Sequence, residues 1–77
     1  MKVLNRLRKV RKKSGLSLEQ LSALSGISKS EISDIELGRK IPSQMTIILL
    51  SDSLDIPAHH IFIFSFKHKN VSFSGKL

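Results

Sequence analysis

The sequence predicts a compact all-α domain of five helices, and three observations support this fold class. Three serines stand at expected helix N-caps, Ser17, Ser28 and Ser43, and the first two have a capping-box partner three residues later. Glycines follow the expected helix ends, where a left-handed residue stops a helix at little cost. Apolar residues between these signals recur at three- and four-residue spacing, which is typical of helices that bury one face.

The first helix is expected over residues 3–14. Val3, Leu7 and Val10 form a narrow apolar stripe on it. Seven basic residues precede the first acid of the chain, Glu19. They form either a solvated surface with cations near the helix C-terminus or a patch that faces phosphates, and we expect a mixture of the two.

The second and third helices are expected to form a corner. The second covers residues 17–25, with Leu21 in the core and with Leu18 and Leu24 partly exposed. Only three or four residues separate it from the third helix, which is the length of the turn in a helix-turn-helix unit. The third helix has an apolar edge and a hydrogen-bonding edge; the apolar edge is Ile32 and Ile35, and the other is Lys29, Ser30, Ser33 and Asp34.

The fourth helix is the most apolar segment of the chain and is expected over residues 44–54. The side chains expected to point inward are Met45, Ile48, Leu49 and Leu54, with Ile47 and Leu50 flanking them. Pro57 is suited to open a short fifth helix over residues 58–62.

The C-terminal segment contains all four phenylalanines and leaves two alternatives open. In the first, Phe62 fills the core and the rest is a frayed end. In the second, Ile63, Phe64 and Phe66 form an exposed patch that pairs with a second chain. Residues 61–66 and 71–74 are also β-prone enough for a hairpin, which would be marginal without a surface to pack on.

Four segments carry a resemblance to a known family: residues 15–22 (GLSLEQLS), 26–33 (GISKSEIS), 35–39 (IELGR) and 42–43 (PS). In order and spacing they resemble the Cro/CI-type (lambda-repressor-like, XRE-type) helix-turn-helix family over residues 3–62. The resemblance implies a lambda-repressor-like helix-turn-helix DNA-binding domain over residues 1–64, which binds DNA as a dimer. Residues 65–77 are then a C-terminal tail, either a dimerisation element or disordered.

The resemblance also implies site residues. The third helix of this family lies in the major groove, and carried onto this chain it offers Lys29, Ser30, Ser33 and Asp34 to the bases. The phosphate contacts carried over in the same way are Arg11, Ser17, Leu18, Arg39 and Lys40. The family's helix-1 arginine pairs with a third-helix glutamate, and these positions are Arg11 and Glu36 here.

The chain departs from the family's pattern at three places. Leu18 stands where glutamine is frequent, Leu37 stands where a basic residue is frequent, and Glu31 and Asp34 place carboxylates on the helix expected to meet DNA. Glu31 is accounted for by the capping box, and Asp34 can accept a hydrogen bond from cytosine N4.

The expected function is sequence-specific binding of double-stranded DNA by a small cytoplasmic transcriptional regulator, a repressor, acting as a homodimer on a palindromic operator. The alternative is a protein-interaction module on the same fold, such as an antitoxin or an anti-repressor partner, suggested by Leu18, Leu24, Leu37 and the phenylalanines.

Other classes of function are disfavoured. No enzyme is expected because the chain has no cysteine, no phosphate-binding glycine loop and no nucleophile constellation. No metal, cofactor or small-molecule ligand is expected either. A membrane partner is disfavoured because the apolar face of the first helix carries no Trp or Phe and is needed for the core.

Overall fold

Five helices and a two-stranded ribbon make up the part of the chain that the computed structural model describes, which is the backbone of residues 2–65 and the side chains of residues 5–63. The elements in chain order are β1 (Lys2–Asn5), α1 (Leu7–Lys13), α2 (Leu18–Ser25), α3 (Lys29–Glu36), α4 (Gln44–Leu54), α5 (Ala58–Ile61) and β2 (Phe62–Ser65). The predicted helical domain with five helices is confirmed, and the ribbon is an addition to it.

The core is a single cluster to which every helix contributes. Its buried apolar members are Leu7, Leu21, Ile32, Ile35, Leu50, Leu54, Ile61 and Phe62. The prediction that Leu21 is buried is therefore confirmed, and the burial of Phe62 agrees with the first of the two alternatives for the C-terminal segment. Leu18 is half-buried and Leu24 is exposed, as their drift off the α2 stripe predicts.

The inward face of α4 differs from the prediction. Met45 and Ile48 are 62% and 52% exposed, whereas Leu50 is fully buried and Thr46 is buried beside it. Four consecutive apolar residues, 47–50, leave the local pattern without one preferred face. Packing of α4 against α2 decides which side turns inward, and Leu54 is the predicted inward residue that the structure does bury.

The N-terminus also differs from the prediction, because residues 2–5 form a strand instead of the first turn of a helix. This strand, β1, pairs antiparallel with β2, so that Leu4 lies opposite Ile63 and Asn5 lies opposite Phe62. The Arg6 N–H extends the link by donating to the Ile61 carbonyl at 2.7 Å. The partners are almost sixty residues apart in the chain, and local periodicity carries no information on such a pairing. The hairpin proposed between residues 61–66 and 71–74 falls partly outside the described residues, as do Phe66 and the tail.

Candidate nucleic-acid interface

Helix α3 packs against the core along one edge and is accessible to solvent along the other. Ile32 and Ile35 are fully buried in the core. Lys29 and Ser30 at the start of the helix are exposed, and Ser33 and Asp34 one turn later are half-buried. The polar edge predicted from the sequence is thus accessible along the first two turns.

The corner between α2 and α3 is formed by Gly26, Ile27 and Ser28. Gly26 has a φ of +78°, a left-handed conformation that ends α2 and that side chains with a Cβ rarely adopt. The Ser25 hydroxyl accepts a hydrogen bond from the Ile27 N–H at 3.1 Å. Ile27 packs against the core, so the corner fixes the direction in which α3 leaves α2.

Arg11 and Glu36 form a buried ion pair between α1 and α3. Arg11 Nε donates to Glu36 Oε2 at 2.6 Å and Nη2 donates to Oε1 at 3.1 Å. The exposed fractions of the two side chains are only 8% and 5%. A third donor, Nη1, contacts the Leu16 carbonyl at 2.8 Å. The hydrogen bond that Arg11 donates to Glu36 raises the pKa of Arg11 above its ordinary value, against the opposing effect of burial.

Three further ion pairs cross the surface of the helix-turn-helix segment. Lys29 Nζ lies 3.2 Å from Glu19 Oε2, and Lys40 Nζ lies 3.3 Å from Glu31 Oε2. Arg39 Nη1 lies 3.8 Å from an oxygen of Asp34. Three exposed cations were predicted to contact DNA, Lys29, Arg39 and Lys40. Each of them therefore lies beside a carboxylate on the same surface.

Glu19 is the residue of this face that the sequence did not single out. Its own backbone N–H is the main cause of a lowered pKa, and Lys29 lowers it further. A glutamate in the first turn of a helix gains from the exposed N–H groups there. Its position relative to Lys29 depends on the angle of the corner, which no local pattern reveals.

The N-terminus of α2 carries the predicted capping box. Ser17 Oγ accepts from the Gln20 N–H at 3.0 Å, and Gln20 Oε1 accepts from the Ser17 N–H at 2.8 Å. The box occupies the N–H of Ser17, while the N–H of Leu18 in the first turn has no partner within the helix and remains for an external acceptor. Its side chain is half-buried against the core.

The predicted capping box of α3 is only half formed. The Ser28 hydroxyl accepts from the Glu31 N–H at 3.1 Å. The Glu31 carboxylate does not complete the box and instead contacts Lys40 beyond the end of the helix. The ammonium group of Lys40 thus competes with the Ser28 backbone N–H for the Glu31 carboxylate.

Asn5 connects β1 to the end of α3 and is a second residue that the sequence did not single out. Its side-chain amide donates to the Ile35 carbonyl at 2.9 Å, and its oxygen accepts from the Leu7 N–H at 3.1 Å. One side chain thus satisfies the start of α1 and a carbonyl of the last turn of α3. It helps to fix α3 against the N-terminal part of the domain.

The predicted site residues fall into three neighbouring groups. The base-contact candidates share α3, Ser17 and Leu18 open α2, and Arg39 and Lys40 follow α3. Arg11 is buried between α1 and α3 and has two of its five N–H donors left, because three are occupied.

Within the described residues, no group of three or more His, Cys, Asp or Glu side chains is placed to hold a metal ion. No helix in that same part of the chain combines the length and the apolar character that crossing a membrane requires.

Comparisons with known proteins place the chain among helix-turn-helix proteins. The family model described as helix-turn-helix, HTH_3, matches residues 7–61. The HTH-type transcriptional regulator DdrOP3 of Deinococcus deserti is 36% identical over 61 residues, which are 79% of this chain and 47% of that protein. The chain therefore spans about half the length of this curated relative.

Solved structures show the same arrangement of helices. The restriction-modification controller protein C.AhdI from Aeromonas hydrophila matches with a TM-score of 0.69 and 38% identity, over 71% of this chain and 83% of that one. An HTH_3 family transcriptional regulator from Vibrio cholerae matches with a TM-score of 0.67 and 31% identity, over 70% of this chain and 30% of that one. A Bacteroides fragilis protein with a TM-score of 0.71, 20% identity and coverages of 79% and 98% shows the fold alone.

Proposed function

The chain belongs to the HTH_3 helix-turn-helix family, and from that premise we propose that it is a sequence-specific double-stranded DNA-binding regulator of transcription that acts as a repressor. The observation that carries this proposal is that α3 is fixed along one edge and accessible along the other. Its apolar edge is anchored by Ile32 and Ile35, and the opposite edge is open and polar. A helix held in this way can enter the major groove while the fold around it stays unchanged.

Four side chains of α3 are proposed to contact the bases: Lys29, Ser30, Ser33 and Asp34. Lysine can donate to guanine O6 and N7, and a carboxylate can accept from cytosine N4. In the free protein Lys29 is beside Glu19 and Asp34 is beside Arg39. Both pairs are exposed, so exchanging them for contacts to base edges costs little.

The phosphate contacts are proposed to lie on both sides of α3. The Leu18 N–H at the start of α2 supplies one, with Ser17 beside it, since a helix N-terminus favours an anion. Arg39 and Lys40 follow α3 and supply others. Arg11 directs its remaining donors to a phosphate while Glu36 holds it in place. Such contacts position the protein without selecting a sequence.

We propose that the protein binds a palindromic operator as a homodimer, with two copies of α3 about one helical turn, ~34 Å, apart. Met45 and Ile48 on the outer side of α4, with Ile41 in the preceding loop, are more than half exposed. Their exposure supports a second copy at this surface, because it would remove apolar area from water. We place this regulator in the cytoplasm, and its action depends on binding and not on catalysis.

A protein-interaction module, such as an antitoxin, is the second candidate function. The observation that favours it is the exposure of Leu24 in the last turn of α2 and of Leu37 at the end of α3, at 61% and 55%. Apolar side chains at the margin of the proposed DNA surface would suit a partner protein there.

The test is fluorescence anisotropy with duplexes from upstream of the gene and with duplexes enriched by the protein from a random library, each against scrambled sequence, across a salt series. We expect a preference of about 10³-fold or more for one sequence. Lys29→Ala should change which base pairs are preferred, whereas Arg39→Ala with Lys40→Ala should weaken binding to every duplex and lower the salt slope.

Absence of any enriched sequence, together with no binding at low salt, would contradict DNA binding and favour the interaction module. A preference unaltered by Lys29→Ala would remove Lys29 from the base contacts.

A further inference from the structure

A basic groove lies outside the helix-turn-helix segment, between α1 and the end of α3. It encloses about 400 Å³ and is lined by Asn5, Arg6, Arg8, Lys9, Lys12 and Glu36. We call it the α1 groove. Four of its six lining residues are cations, and all four are exposed.

The carboxylate in the groove is already neutralised. Glu36 accepts both of its short hydrogen bonds from Arg11, which lies on the buried side of α1. Asn5 is also engaged, by the Ile35 carbonyl and the Leu7 N–H. The positive charge of the groove therefore comes from its four cations.

The charged side chains of residues 5–40 separate into two regions. Residues 17–40, the helix-turn-helix segment, contain three cations and four carboxylates. Each of those cations has a carboxylate within 4 Å. Among residues 5–63, by contrast, no ion pair includes Arg6 or any cation of α1 other than Arg11. The surface proposed to read bases is nearly neutral, so it supplies little long-range attraction for DNA.

The position of the α1 groove suits the phosphates that border the proposed base contacts. Glu36, which lines the α1 groove, is the last residue of α3 and lies seven residues beyond Lys29. At a rise of 1.5 Å per residue, the α1 groove therefore begins ~10 Å from the base-reading end of the helix. The major groove is about 12 Å wide between its phosphate borders. Lysine and arginine side chains at that distance from the base-reading end of α3 can reach the DNA phosphates that border the major groove.

We propose that the α1 groove binds the phosphate backbone of duplex DNA next to the base pairs contacted by α3, and that it supplies most of the sequence-independent, salt-dependent affinity. The proposal rests on the proposed DNA-binding function. It assigns sequence selectivity to α3 and long-range attraction of DNA to α1. The reason is that the cations on the α3 surface are paired with carboxylates, whereas the exposed cations of α1 are not. Released counterions make such an affinity fall with salt.

The test compares two neighbouring lysines of α1. Lys12 lines the groove and Lys13 does not, and both are exposed cations whose replacement by glutamine removes one charge. Binding of wild type, Lys12→Gln and Lys13→Gln to a fluorescein-labelled random-sequence duplex is measured from low to moderate salt. We expect Lys12→Gln to make the negative slope of log K against log salt shallower by about 0.9, and Arg8→Gln with Lys12→Gln by about twice that value. Lys13→Gln should retain the wild-type slope, and circular dichroism checks that all variants are folded.

The outcomes distinguish this proposal from the proposed function. Wild-type binding with the same slope in Lys12→Gln as in wild type would overturn the groove assignment and leave DNA binding intact. Equal losses in Lys12→Gln and Lys13→Gln would also overturn it, since net charge alone would then explain the effect. Binding of phosphatidylserine vesicles that Lys12→Gln abolishes, with duplex binding unchanged, would assign the groove to a membrane surface. A wild type that binds no duplex would overturn both proposals.

Discussion

At the scale of single residues, the buried pair of Arg11 and Glu36 is the feature on which the position of α3 depends. Two opposite charges with less than a tenth of their side chains exposed are separated by 2.6 Å. Removing water from such groups is costly, and good hydrogen-bond geometry offsets that cost. The pair thus gives limited net stability but makes the loss of one partner expensive.

Removal of one partner is expected to be far worse than removal of both. Arg11→Ala leaves the Glu36 carboxylate buried without its partner and should lower the free energy of unfolding by about 3–5 kcal/mol, measured by urea denaturation. Arg11→Met combined with Glu36→Leu should recover most of that loss. Arg8→Ala, which alters an exposed cation of the same helix, should change stability by less than about 0.5 kcal/mol. A cost below about 1 kcal/mol for Arg11→Ala would contradict the view that the pair fixes α3.

The lowered pKa of Glu19 gives a test of the contact with Lys29. Because the pKa is lower in the folded protein, the stability from this group is present above the ordinary value of 4.5 and is lost as the pH falls through the folded value. An NMR titration of the Glu19 carboxyl carbon should give a midpoint below 4.5 in wild type. Lys29→Met should raise that midpoint only in part, because the main cause, the backbone N–H, remains. Full return to the ordinary value would show that Lys29 is the main cause instead.

At the scale of the elements, the starts of α2, α3 and α4 are each marked by a local hydrogen bond to a serine, whereas α1 and α5 have no side-chain cap. Ser17, Ser28 and Ser43 each accept from the backbone N–H three residues later. The two sequence-predicted boxes then diverge, because Gln20 closes its box and Glu31 turns to Lys40. A neutral amide has no competing ionic partner nearby, whereas a carboxylate does.

This difference predicts distinct salt dependence at the two helices. Ser17→Ala and Ser28→Ala should each lower the free energy of unfolding by about 1 kcal/mol at low and at high salt. Glu31→Gln should cost a few tenths of a kcal/mol at low salt, and the cost should vanish near 1 M salt, where charges are screened within about 3 Å. Urea denaturation at both salt concentrations measures these effects, with Ser30→Ala as the neutral control. A cost for Glu31→Met that persists near 1 M salt, where Glu31→Gln costs nothing, would mean that the Glu31 side chain closes the box in solution.

At the scale of the whole molecule, the domain presents three surfaces of different character. The α3 surface combines paired charges with exposed polar groups, the α1 groove is basic, and the outer side of α4 is apolar. Beside Ile48, a depression of about 400 Å³ extends over Ile56, Pro57 and Ala58. This combination is suited to a protein that meets a polyanion on one side and a second copy on another.

Sedimentation equilibrium tests whether α4 carries the dimer. Ile48→Glu should shift the protein to a monomer, because a second copy would bury the new carboxylate without a partner. Leu24→Glu, at a comparably exposed leucine of α2, should leave the association unchanged. If Ile48→Glu associates as wild type does, the dimer surface lies elsewhere.

The sequence by itself determined the bounds of α2 and α4 and the start of α3, which sides of α2 and α3 are buried, and the resemblance that the HTH_3 match then confirmed. These features depend on capping serines, left-handed glycines and short-range apolar spacing, all of which act within a few residues. The tertiary structure alone decided that residues 2–5 pair with residues 62–65 and that Leu50 turns inward in place of Ile48. It also decided that Glu19 meets Lys29 and that Glu31 meets Lys40. Each of these contacts joins groups that are distant in the chain or chooses between apolar faces of similar quality, so its energy depends on how the helices pack and is absent from any local pattern.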